Sequence, residues 1–122
     1  MRFVNPLPFV ADLDRARRFC HDVMGLVVLE DEGGFIRFQN GFAIHDGAHL
    51  HQTIFGQTPI YAAPFGRANL VLYFEDEDLD AAFARIAPHV AVIHPVSRQP
   101  WGQRVFRFHD PDDHIVEIGE PQ

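Results

Sequence analysis

Glu117 is the residue that asks for a chemical explanation. It lies in Ile115-Val116-Glu117-Ile118, an acid set among branched apolar neighbours. A carboxylate in such a strand is costly unless it meets water or a partner, so it faces either solvent or a polar pocket. Three histidines cluster in His45-Asp46-Gly47-Ala48-His49-Leu50-His51. Close His spacing recurs in metal sites. The simpler and preferred account is a solvated loop carrying histidines, since no cysteine or second cluster supports a site. Arg37, Arg104 and Arg107 fall on predicted strands, where one of them could clamp a carboxylate or phosphate with its planar fork. Strand arginines more often face solvent. Phe9, Phe55, Tyr61, Phe65, Tyr73 and Trp101 are candidates for an aromatic cavity wall, although most large aromatics are core. Phe55, Tyr61, Phe65 and Trp101 lie in connections, where packing explains them less readily. Cys20 reads as a small, partly buried helix residue. The chain has neither a Gly-rich phosphate cradle nor a Ser-centred nucleophile elbow.

The elements that must position these residues follow from periodicity and punctuation. Phe3 to Val10 reads as a strand interrupted by Pro6 and Pro8. Asp12 caps an amphipathic helix over Leu13 to Val23, with Leu13, Ala16, Phe19 and Val23 on one face and Gly25 as its stop. Strands follow at Leu26 to Leu29, Phe35 to Phe38 and Phe42 to His45, with Gly33-Gly34 and Asn40-Gly41 as turns. Gly47 to Gly66 has no clear period and reads as a connection, with a short strand or turn around His51 to Phe55. It is long for a loop, and such loops are usually functional or mobile.

Then the pattern restarts. Asn69 to Phe74 is a strand, Asp78 caps a helix over Leu79 to Ile86, and strands follow at Ala91 to His94, Gln103 to Phe108 and Ile115 to Ile118. Asp110-Pro111-Asp112-Asp113 is turn chemistry between the last two. Asp12-Leu13-Asp14 recurs as Asp78-Leu79-Asp80, and Phe35-Ile36-Arg37-Phe38 recurs as Val105-Phe106-Arg107-Phe108. Allowing two extra turn residues in the second half, His45 falls where Glu117 falls. The organisation is one domain over 1–122, built from two repeats at about 1–47 and 67–122 joined by 48–66.

Composition narrows the function class. A chain of 122 residues buries roughly two-thirds of its unfolded surface, enough for a core. No apolar run approaches the ~18 residues that a membrane helix needs, and the start lacks a signal-peptide core. A formal net charge of −7 argues against nucleic acid and anionic membranes. The single cysteine allows no internal disulfide and points to a reducing, cytoplasmic setting.

The strings Val10-Ala11-Asp12-Leu13-Asp14 with Phe19 and Gly25-Leu26, then Trp101-Gly102-Gln103-Arg104, then Phe108-His109-Asp110-Pro111-Asp112-Asp113-His114-Ile115-Val116-Glu117, resemble the vicinal oxygen chelate superfamily. That superfamily holds glyoxalase I, bleomycin-resistance and fosfomycin-resistance proteins and extradiol dioxygenases. The likeness covers nearly the whole chain. It implies an α+β fold of tandem βαβββ modules forming a curved mixed sheet around a ligand cavity, with the helices outside. It also implies a homodimer. Metal-using members carry one ligand on the first and one on the last strand of each half. Carried over, the last-strand positions are His45 and Glu117. The first-strand positions are Asn5 and Asn69, or Val71 if the helix caps are aligned. Asparagine oxygen is a weak ligand for Zn²⁺ or Ni²⁺, which prefer His, Cys and carboxylate.

The resemblance and the residues together give the expectation of a small-molecule binder. Asn5, Phe9 and His45 from the first half would line its cavity, with Asn69, Tyr73, Trp101 and Glu117 from the second. No cofactor is expected, and His45 and Glu117 would be polar cavity groups or pair with each other. The ligand would be flat, apolar or aromatic, carrying a hydrogen-bond donor or positive charge for Glu117. The alternative is a lyase, isomerase or dioxygenase using Zn, Ni, Mn or Fe at His45 and Glu117, with Glu117 catalytic.

Overall fold

The computed structural model describes residues 1–57 and 62–122. Two units divide the chain, Met1–Phe65 and Gly66–Gln122. Each is one βαβββ module around a four-stranded mixed sheet.

In the first unit the order is β1 (Phe9–Val10), α1 (Leu13–Arg18), β2 (Val28–Glu32), β3 (Phe35–Phe38), β4 (Ala43–Asp46) and α2 (Gly47–Phe55). The sheet runs β1-β4-β3-β2, with β1 parallel to β4 and the other pairs antiparallel. The long first strand shrinks to two residues. Pro6 and Pro8 offer no N–H to a ladder, and pairing begins only where they end. Asp12 caps α1 as expected, its Oδ1 accepting from the Arg15 N–H at 3.0 Å. The helix continues as one wider π turn over Phe19–Val23. Ala16 and Cys20 are buried with Val10, Ile36, Phe38 and Ile44, so Cys20 is a core residue. Asn40-Gly41 makes the tight turn before β4, both residues at positive φ, as such a pair favours.

The connection expected from residue 47 onward begins instead as α2. The Asp46 carboxylate caps it, accepting from the His49 N–H at 2.8 Å. The buried residues of α2 are Gly47 and His51, one helical turn apart, while Ile54 and Phe55 are exposed. Its inward side therefore carries no apolar stripe, and a search for hydrophobic period passes over it.

The second unit has β5 (Val71–Glu75), α3 (Leu79–Ile86), β6 (Ala91–Arg98), β7 (Arg104–His109) and β8 (Ile115–Gly119), with sheet order β5-β8-β7-β6. β5 and β8 are parallel, the others antiparallel. β6 runs four residues beyond the expected His94 end, through Pro95. It is an edge strand with two register shifts, and an edge tolerates a missing donor. α3 has the expected bounds, with Asp78 Oδ1 accepting from the Ala81 N–H at 3.0 Å. One sheet face carries Leu72, Phe74, Phe106, Phe108, Val116 and Ile118, matched by register. Phe83 of α3 meets Phe106 edge-on at 5.1 Å, which seats the helix on that face. Each fully buried Phe of this kind contributes roughly 1.5–3 kcal/mol.

The turn between β7 and β8 hangs on Asp110. Its Oδ1 accepts from the backbone N–H groups of Asp112 and His114, both at 2.9 Å. Burial pushes the Asp110 carboxyl up, and the Asp112 charge adds to this. The charge of His114 and the two backbone donors oppose it. A raised carboxyl stabilises the fold fully below its unfolded value, and that contribution is lost as pH rises through the folded value. At neutral pH its charge is thus a cost. Asp110→Asn keeps an oxygen acceptor without the charge and should melt at or above the parent temperature at pH 7. Asp110→Ala loses both bonds and should cost about 1–2 kcal/mol. Thermal melts at pH 4 and pH 7 check the pair. An Asn variant as unstable as the Ala variant would mean that the charge itself holds the turn.

Candidate functional site

The face of the second sheet opposite to α3 carries the polar residues. Side chains alternate along a strand, so the register that sends Phe106 and Val116 to the helix sends Arg107 and Glu117 the other way. Tyr73 pairs with Glu117, Glu117 with Arg107, and Arg107 with His94. A single row therefore crosses β5, β8, β7 and β6.

Arg107 is the centre of the row. Its Nε donates to Glu117 Oε2 at 2.6 Å, and its Nη2 lies 2.6 Å from the same oxygen as an ion pair. Its Nη1 donates to His94 Nε2 at 3.0 Å and to Gln99 Oε1 at 3.2 Å. The Nδ1 of His94 lies 2.8 Å from the Pro95 carbonyl oxygen. A carbonyl only accepts, so the hydrogen is on Nδ1, and Nε2 is left with the lone pair that receives Arg107. The Glu117 and Arg107 side chains are 13% and 24% exposed. The partner of Glu117 is thus an arginine two strand positions from His109, read from the sequence as a solvent residue. Counting outward from the Asp110–Asp113 turn would have revealed it, because an antiparallel hairpin sets Arg107 and Glu117 side by side.

Next to this row a second network is built on Gln103. It is 5% exposed, and its amide N donates to the Tyr73 hydroxyl at 2.8 Å and the Glu120 carbonyl at 2.7 Å. Its oxygen accepts from the Trp101 indole N–H at 2.9 Å. The Tyr73 hydroxyl donates to Glu75 at 2.6 Å. Partial burial of the Tyr73 phenol pushes it up, the bond to Glu75 adds to this, and donation from Gln103 works against it. Tyr73 and Trp101 remain 45% and 55% exposed, so both present ring surface. Arg104 is spent elsewhere, on Glu120 at 3.1 Å and Asp80 at 3.3 Å. Arg37 pairs with Glu30 at 3.2 Å.

In the first unit, Phe9 and Phe35 are the residues opposite His45 on the neighbouring strands. His45 Nδ1 donates to the Asp46 carbonyl at 3.0 Å, which leaves Nε2 as an acceptor. The His49 ring lies 5.7 Å from the His45 ring, and the His51 ring lies 4.6 Å from that of Phe55, tilted by 44°. Phe65 sits edge-on to Phe9 at 5.7 Å. Asn5 precedes β1 and donates to the Pro6 carbonyl at 2.8 Å. Asn69 likewise precedes β5, four positions before Tyr73, the residue opposite Glu117. Tyr61 lies outside the described residues.

The register sets His45 and Glu117 at matching positions of their hairpins: Phe35 faces His45 and Arg107 faces Glu117, each pair ten positions apart. The innermost pairs, Arg37 with Ala43 and His109 with Ile115, are both six apart, so the two turns are equal in length and the two extra turn residues expected for the second half are not there. What differs is the neighbour: Phe35 stands beside His45 where Arg107 stands beside Glu117. Among the described residues, no group of three or more His, Cys, Asp or Glu is placed to hold a metal ion. A separate cleft of about 420 Å³ lies at the end of the second sheet, bounded by Pro88, His89, His109, Asp110 and Asp113, and Glu117 does not line it. No helix among the described residues is long and apolar enough to cross a membrane.

The comparisons agree with this architecture. A protein of unknown function from Agrobacterium tumefaciens str. C58 is 55% identical, with a TM-score of 0.95 over 100% of this chain and 95% of that one. The lactoylglutathione lyase of Agrobacterium tumefaciens is 25% identical, with a TM-score of 0.72 over 98% of this chain and 92% of that one. A glyoxalase/bleomycin resistance protein/dioxygenase from Nocardioides shares the fold, at 21% identity and a TM-score of 0.75 over 98% and 83%. No curated protein matches in sequence. The model of the glyoxalase-like domain matches residues 3–122. With two βαβββ modules behind that match, the chain belongs to the glyoxalase-like domain family, within the vicinal oxygen chelate superfamily.

Proposed function

We propose that this protein binds a small, largely apolar or aromatic molecule without a catalytic divalent ion. The observation that carries the reading is the guanidinium of Arg107 on Glu117. A divalent ion taking that carboxylate would have to displace a charge-assisted bond and its ion pair and sit beside a fixed positive charge. The residues present therefore do not fit a metal held by Glu117. Around the row, exposed Tyr73, Val71 and Trp101 supply apolar surface next to a few polar groups, the usual make-up of a ligand site.

The alternative is a metal-dependent lyase, isomerase or dioxygenase using His45 and Glu117. It is favoured by the open Nε2 of His45 and by the similarity to a lactoylglutathione lyase. Elemental analysis after purification without chelator separates the two. The expected content is well below one equivalent of Zn, Ni, Mn or Fe per chain. Stoichiometric metal that disappears in Glu117→Ala would replace the binding reading with the enzyme.

A further inference from the structure

We infer that the group recognised at Glu117 is an uncharged hydrogen-bond donor (a hydroxyl or an amide N–H) carried on a flat apolar body, and that a ligand ammonium gains nothing there. The inference rests on the binding reading above and adds the ligand's polar chemistry to it.

Glu117 Oε2 accepts from Arg107 Nε at 2.6 Å and has Nη2 at the same distance as an ion pair. Glu117 Oε1 has no partner among the described residues, and the side chain is 13% exposed. It is one remaining acceptor on the residue opposite Tyr73. Its charge, however, is already answered. Arg107 is held from its far side by His94 Nε2 and Gln99 Oε1, so it cannot swing away to release the carboxylate without breaking both bonds. An incoming ammonium would be attracted by Glu117 and repelled by a guanidinium on the same oxygen pair, and the two effects nearly cancel. Glu75, the next acid on that face, is exposed and already accepts from the Tyr73 hydroxyl. A neutral donor meets no such opposition. It keeps a charge-assisted bond to Oε1 and sheds less water on entering.

The test is a calorimetric titration with three probes sharing one ring system: 2-naphthol, 2-methylnaphthalene and 2-naphthylmethylammonium. Naphthol should bind roughly tenfold tighter than methylnaphthalene, the scale of one hydrogen bond to a charged group. The ammonium should bind no tighter than methylnaphthalene. Arg107→Met leaves Glu117 uncompensated, so the ammonium should gain about tenfold or more and become the tightest of the three. Should that variant fail to fold, Glu117→Gln serves instead. It must shrink the advantage of naphthol to about threefold or less, and an undiminished advantage overturns the inference. An ammonium that binds tightest to the unaltered protein also overturns it and leaves the binding reading standing. If none of the probes binds below millimolar concentration, the binding reading fails and the inference goes with it.

Discussion

Gly66→Ala should lower the melting temperature by more than ~10 °C, the loss expected from about 3 kcal/mol in a unit of this size. Gly66 opens the second unit and donates its N–H to the Asp112 carbonyl at 2.9 Å. A Cβ there would lie 2.6 Å from the His114 nitrogen and closer still to the carbonyl of Asp113. These are backbone atoms of the turn that Asp110 holds, so no flexible side chain can yield. The chain must either leave the turn or push it away from β8. Arg67→Ala is the control. Arg67 is exposed, and its side chain reaches the neighbouring Gly66 carbonyl at 3.0 Å, so its loss should stay within about 0.5 kcal/mol. A Gly66→Ala protein that melts within about 2 °C of the parent would refute the close approach.

Gln103→Ala should cost about 3 kcal/mol, near 1 kcal/mol for each of three hydrogen bonds. The amide is 5% exposed and joins Tyr73, Glu120 and Trp101. Alanine leaves the Glu120 carbonyl without that donor and releases the indole N–H. The change also has a signature that simple loss of packing would not give. Donation from Gln103 holds the Tyr73 phenol down against the burial and the Glu75 bond that raise it. Removing that donor should therefore move the Tyr73 titration further into the alkaline range, read by phenolate absorbance. Trp101 is largely exposed, so Trp101→Phe should cost less than about 1 kcal/mol. An unchanged tyrosine titration in Gln103→Ala would show that Gln103 does not bond the phenol.

Much of this fold is written in local signals. The bounds of α3, the Asp12 and Asp78 caps, the Asn40-Gly41 turn and the repeat itself depend on residues within a few positions of one another, so sequence spacing alone specifies them. Glu117 also announced itself, because an acid among branched apolar residues is costly unless paired. What paired with it was decided by tertiary structure. The hairpin register placed Arg107 beside Glu117, at the position that Phe35 takes beside His45 in the first half. The hub at Gln103 was equally hidden, since Tyr73 lies 30 residues away in the chain and only the β5-β8-β7 order brings them together. α2 escaped notice for a different reason. Its buried residues are a glycine and a histidine, and hydrophobic periodicity cannot register a helix whose inward side is not hydrophobic. The strands and caps follow from each residue's own backbone and side-chain preferences. Which charges meet depends on pairing between distant segments, and that pairing is set by turn lengths and packing that no single stretch of sequence contains.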